Sequence, residues 1–153
     1  MRSVIGVVAG YIVMAVIVMA LLSAAFLVLG ADGAFRPGTY EVGAIWLSLN
    51  IVVGLAAAIL GGIVCAGVAR GSRAPTALGL LVLVLGLVIA IAGVMAPNPE
   101  SSSVRHAGAD RLDAMMNARQ PTWIMFLNPF LGAGGVMIGA RLKRGAPAAH
   151  LDP

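Results

Sequence analysis

An all-α membrane protein, with four transmembrane helices in one compact bundle, is the fold class this sequence predicts. Three observations predict it. Apolar residues fill 60% of the 153 positions and charged residues 10%, with a mean hydropathy of +1.00. Soluble domains run near 45–50% and about 25%, so this chain has too few charges to cover a soluble fold. Four stretches, 4–31, 42–69, 74–98 and 120–140, contain no Asp, Glu, Lys, Arg or His. Each meets the roughly 20 residues needed to cross about 30 Å of hydrocarbon. Finally, the stretches are continuously apolar, which excludes the alternating strands of a membrane barrel. Backbone in lipid must bond to itself, so the stretches are helices.

The elements follow in order. A single domain over residues 1–145 is expected to hold spans at about 4–30, 42–69, 75–97 and 121–141, with 146–153 as a short tail. The first span is about twice as long as the 7–15 residues of a signal-peptide core, and no small-residue cleavage site follows it, so it reads as an uncleaved helix. Gly33, Pro37 and Gly38 mark the first connection as a turn-rich loop. Pro97 and Pro99 end the third span, and Ser101 to Ser103 offer helix N-caps. A short amphipathic helix is expected over 104–119. Its Val104, Leu112 and Met115 share a face that would lie on the membrane or across the mouth of the bundle.

Arginines set the expected orientation. Arg2, Arg70, Arg73, Arg141, Lys143 and Arg144 fall on one side. Arg36, Arg105, Arg111 and Arg119 fall on the other, diluted by Asp32, Glu41, Glu100, Asp110 and Asp113. The undiluted basic side belongs in the cytoplasm, which places both termini there. Trp46 and Trp123 then stand near the outer ends of the second and fourth spans, where an aromatic belt lies. Nine arginines against one lysine, with abundant Ala, Gly and Val, resemble a GC-rich bacterial coding bias. The expected location is therefore a bacterial inner membrane, crossed several times.

In lipid, apolar area does not drive helix association; small residues that let backbones approach do. The second span carries Gly54, Ala58, Gly62 and Ala66 beside a parallel ridge of Ala57, Gly61, Cys65 and Ala69. The first offers Gly6 and Gly10, and the fourth Gly135 and Gly139. In the third, Gly79, Gly86 and Gly93 recur every seven residues with Ala90 on their face, the period of a left-handed crossing. Packing within one chain and packing between copies both remain open. An echo links Leu49, Asn50, Gly54 and Gly61 to Leu127, Asn128, Gly132 and Gly139. It reads either as a duplicated hairpin or as coincidence in a biased composition.

The chemistry is mostly a set of exclusions. Proton-coupled pumps and cation exchangers need ionisable groups inside the membrane, and the spans have none. Small multidrug-resistance exporters share the four-helix size but use a carboxylate in the first helix, which is missing here. Cys65 stands alone, so it allows neither an internal disulfide nor a CxxC redox pair. His106, Asp110 and Asp113 would share a face of the loop helix, but one nitrogen ligand is a thin basis for a metal site. No nucleophile elbow, phosphate loop or dinucleotide fingerprint occurs. The basic pI of a membrane protein does not indicate nucleic acid. No catalytic residue, metal site or cofactor is therefore assigned.

Ser23, Ser48, Asn50 and Asn128 remain as polar groups of the outer half, either gluing helices or lining a solute path. Asn50 and Asn128 lie four and five residues inward of a tryptophan, so nearly at one depth. The second and fourth helices are expected to pack together, with these side chains meeting and Gly54 and Gly132 easing the approach. The expected function is that of an accessory or interaction subunit acting through helix packing. Its partners would be the bilayer and another membrane protein or a second copy. The alternative is an oligomeric channel or carrier for a neutral or small solute.

Overall fold

The computed structural model describes residues 2–69, 73–96 and 118–145. They form four helices, α1 (Arg2–Ala34), α2 (Ala44–Ala69), α3 (Ala74–Met95) and α4 (Thr122–Gly145). All four are long and apolar enough to cross a membrane. At 1.5 Å per residue, α3, the shortest at 22 residues, still reaches roughly 33 Å against about 30 Å of hydrocarbon. The chain is a multi-pass helical membrane protein.

Local chemistry explains where each helix stops. Residues 31–34 continue α1, but helical geometry breaks at Gly30, whose φ of 66° and ψ of −178° lie in a region that essentially only glycine occupies. The start of α2 falls at Ala44, two residues later than expected, because Val42 is drawn into an antiparallel bridge with Phe35. Ala96 ends α3 in an extended conformation, φ −62° and ψ 133°, since a following proline disfavours the helical region. Pro129 lies inside α4, which continues as helix to Gly145. Lys143 and Arg144 thereby occupy its last turn, where cations complement the exposed carbonyls.

The bundle is ordered α1–α2–α4–α3, with α3 returning to touch α1; α1 and α4 are not neighbours. Its two ends differ, and we call them the basic end and the capped end. At the basic end stand Arg2, Arg73, Arg141, Lys143 and Arg144, all exposed. The core there is Ala58, Cys65, Ala69, Ala74, Leu78 and Val136, to which α2, α3 and α4 contribute, with Val7 and Met14 of α1 packed on it.

Small residues make this half close. A methyl group built on Gly10 would lie 2.7 Å from Leu78 Cδ2 and 2.8 Å from the Gly61 carbonyl; one on Gly6 would lie 2.9 Å from Ala69 Cβ. On the other side of α2, methyls on Gly62 and Gly139 would collide with the backbone carbonyls of Val136 and Ile59, and one on Gly135 would lie 2.7 Å from Ala58 Cβ. The two small-residue ridges of α2 thus serve two neighbours, the Gly61 ridge α1 and the Gly62 ridge α4. On α3, methyls at Gly86 and Gly93 would press on Pro129 and Met125, while Gly79 sits at ordinary contact distance from Ala133 and Met137. Gly54 meets nothing within 4 Å. The expectation that it eases the α2–α4 approach is corrected: the close crossing begins one turn further in, at Ala58.

The capped end is closed by the first loop. Thr39 N–H donates to the Arg36 carbonyl at 3.1 Å across Pro37-Gly38, with Gly38 at φ 71°, the pattern of a type II turn. Arg36 N–H donates to Glu41 O at 2.8 Å and Gly43 N–H to Ala34 O at 2.8 Å. Arg119 joins in parallel: its N–H donates to Tyr40 O at 2.9 Å and its carbonyl accepts from Val42 N–H at 3.0 Å. Tyr40 and Val42 point in and Glu41 points out, the two-residue alternation of extended chain. Beneath them Phe26 meets Phe35 and Trp46 edge-on, with ring centroids at 6.3 and 5.7 Å. The expected helix over 104–119 lies almost wholly outside the described residues, as do His106, Asp110 and Asp113. Its last residue, Arg119, is bridged to Glu41 instead.

Candidate functional site

Asn50 and Asn128 are each the seventh residue of their helix, counting from Ala44 and Thr122. Equal steps of 1.5 Å per residue put both about 9 Å below the capped helix ends. Because α2 and α4 pack side by side, the two carboxamides face each other. Asn128 Nδ2 donates to Asn50 Oδ1 at 3.4 Å, both side chains half-buried. This is long for an N–H···O bond, in keeping with the modest worth of such contacts in membranes, about 0.6 kcal/mol. Among the described residues no side chain classed as polar or charged is fully buried, and the pair itself is half-buried.

A cavity flanks the pair on each side. The larger, about 480 Å³, is bordered by Val82, Gly86, Ile89 and Ala90 of α3 and by Met125, Asn128 and Pro129 of α4. The smaller, about 270 Å³, is bordered by Leu22, Ser23 and Phe26 of α1 and by Trp46 and Asn50 of α2. Ala118 and Gln120 form a lip common to both. Gln120 also borders a third cavity of about 280 Å³ at the rim, with Arg36, Glu41 and Arg119. There Arg36 Nη1 and a Glu41 oxygen are 2.9 Å apart, with both side chains exposed, so the pair contributes little to stability.

The cavities exist because α1 and α3 bury little in this half. Between Gly10 and Phe26, α1 has no buried residue, and between Gly79 and Ala90, α3 has none. Pro129 adds a further polar atom. It has no N–H to give the Met125 carbonyl four residues back, and both residues border the larger cavity.

Of the four polar residues singled out from the sequence, the structure brings Asn50 and Asn128 together and places Ser23 at the mouth of the smaller cavity. Ser48 is exposed and borders neither cavity. The packing residues Ala58, Gly62, Gly86, Gly93, Gly135 and Gly139 sit at close crossings within the chain. The sequence echo does not carry over into packing: Gly61 faces α1, whereas its counterpart Gly139 faces α2. Gln120 was missed by sequence reasoning. It precedes a proline at a span boundary and reads as ordinary loop, and only the bridge at Arg119 aims it at the cleft.

Chemically, the arrangement offers amide donors and acceptors beside apolar walls. Among the described residues no group of three or more His, Cys, Asp or Glu side chains gathers to hold a metal. Among the described residues, every side chain bordering the two inner cavities is neutral. No protein-family model, curated protein or solved structure matches the chain.

Proposed function

We propose that this chain is a small polytopic protein of a bacterial cytoplasmic membrane, working as an accessory or interaction subunit through helix packing rather than as an enzyme. The observation that carries this reading is the exposed face of the outer half of α1, opposite the side that packs on α2. Ala15, Ala20, Ser23 and Ala24 are exposed there, and small side chains on a lipid-facing helix leave room for another helix to approach. The basic end lies in the cytoplasm with both termini, supported by the five exposed cations there. The capped end faces outward.

Capture from native lipid particles tests the reading. A membrane protein should co-purify at constant stoichiometry with the wild-type chain and be lost on Ala20→Leu plus Ala24→Leu. Recovery of the chain alone under gentle extraction would defeat the proposal. For orientation, cysteine placed by Ser102→Cys should react with an impermeant thiol reagent in intact cells and one placed by Ser72→Cys should not, each in a Cys65→Ala background.

A second reading, a channel or carrier for a neutral solute, is favoured by the two cavities that meet at Asn50 and Asn128. Against it stands the basic half, where Leu78, Cys65 and Val136 are fully buried and leave no continuous way through. Solute flux in proteoliposomes that disappears with Asn50→Leu would reverse this ranking.

A further inference from the structure

The two cavities and the polar rim have the layout of a phospholipid site. From the capped end inward the cleft presents Arg36, its ion-pair partner Glu41 and Arg119 at the rim, one positive charge in excess, then Gln120 at the shared lip. Next come the carboxamides of Asn50 and Asn128, and the described side chains that wall the two cavities around them are otherwise mostly apolar. A glycerophospholipid has the same order along its length: phosphate, ester carbonyls, acyl chains. Depth agrees. If α2, with 26 residues and so about 39 Å long, is centred on about 30 Å of hydrocarbon, Asn50 lies roughly 5 Å inside the boundary, just below the esters.

The hydrogen-bonding inventory agrees as well. The pair uses one N–H and one carbonyl on each other. That leaves both N–H groups of Asn50 and one of Asn128 as donors, beside the Asn128 carbonyl oxygen as an acceptor, so an ester of the ligand has three N–H groups to accept from. Size decides against a protein helix in this cleft. A helix about 10 Å across fills roughly 420 Å³ per turn and needs five or more turns to cross. The larger cavity, about 480 Å³, takes about one such turn, but its volume falls within the roughly 300–1,000 Å³ of small-molecule sites.

We propose that the cleft at the capped end binds one glycerophospholipid. Its two acyl chains straddle the Asn50–Asn128 pair, one in each cavity, with an ester carbonyl accepting from the carboxamides and the phosphate at the Arg36–Arg119 rim. This site stands whether or not the chain has a protein partner.

The two tryptophans supply the test. Trp46 borders the smaller cavity and Trp123 is 60% exposed, so one reports on the cleft and the other on bulk lipid. The full chain, as Trp123→Phe or Trp46→Phe, is reconstituted in phosphatidylcholine vesicles containing increasing fractions of a phosphatidylcholine brominated on its acyl chains. Trp46 should be half-quenched at a brominated fraction at least five-fold lower than Trp123. In Asn50→Leu plus Asn128→Leu, and separately in Ser23→Phe, which fills the smaller cavity from an exposed position, that difference should shrink below two-fold while helical circular dichroism is retained. A brominated diacylglycerol, lacking the phosphate, should quench Trp46 less steeply than the phospholipid.

Equal quenching of the two tryptophans would overturn the site, as would a preference unchanged by the substitutions in folded protein. So would efficient disulfide formation by Ser23→Cys with its own copy, or with Ser102→Cys in the same chain, both in Cys65→Ala. Those results would give the cleft to a second copy or to the second loop.

Discussion

The two halves of this bundle are made of equally apolar helices yet are built differently. In the basic half α1, α2, α3 and α4 converge, with Gly6, Gly10, Gly61, Gly62 and Gly139 at backbone-to-backbone crossings. In the capped half α3 stays close to α4 at Gly86 and Gly93, while the crossings of α2 loosen at Gly54. An aromatic cluster of Phe26, Phe35 and Trp46 with one carboxamide pair takes their place, and cavities open beside it. The difference teaches that hydrophobicity does not hold helices together in lipid. Close dispersion contact does, and only small side chains permit it. A small residue permits the approach without compelling it: at Gly54 no neighbour comes within 4 Å of the place a methyl would take.

Substitutions should break this contrast in a definite order. Gly62→Leu or Gly139→Leu drives a side chain into a facing carbonyl and should cost about 3 kcal/mol or prevent bundle formation, at the upper end for overpacking. Gly54→Leu, on the same helix but in open space, should change stability by less than about 0.5 kcal/mol. Reversible unfolding in mixed micelles compares them directly, and equal effects would dissolve the distinction between halves.

Leu78→Ala empties a fully buried site that touches α1. Only the cavity part of the usual penalty applies where the unfolded reference is also in lipid, so about 2 kcal/mol is expected. Leu85→Ala, on the exposed side of α3, should be near neutral in the same assay. At the capped end, Phe26→Leu keeps bulk but removes two edge-on ring contacts and should cost about 1 kcal/mol.

The smallest effect is expected at the polar pair. Asn50→Leu and Asn128→Leu should each cost about 0.6 kcal/mol, and the double variant should cost scarcely more than one alone, because the two share one bond. Additive losses in the same micelle assay would mean that each carboxamide has a separate partner.

Periodicity and charge made much of this legible in advance. Four charge-free runs become four helices, because length and apolarity alone decide what can cross a bilayer. Asn50 and Asn128 were legible as a pair for a similarly local reason: two carboxamides at one depth on neighbouring, like-directed helices have few other places to go. Neighbour identity was not legible. The ridges Gly54-Ala58-Gly62 and Gly61-Cys65-Ala69 look equivalent as sequence, and nothing local tells which faces α1 and which α4.

What the sequence by itself determined is the membrane class, the number of spans and their ends to within a few residues, as at Gly30 and Pro97. Each follows from backbone or solvation chemistry acting within a few residues. Only the tertiary structure decided that Gly54 is idle, that α4 stays continuous at Pro129, and that Arg119 pairs with the first loop so that Gln120 overlooks the cleft. These depend on contacts between segments far apart in the chain, as the Asn50–Asn128 bond does across 78 residues. In a lipid-soaked chain of small and aliphatic residues, many such contacts are nearly equal in energy until all four helices are in place.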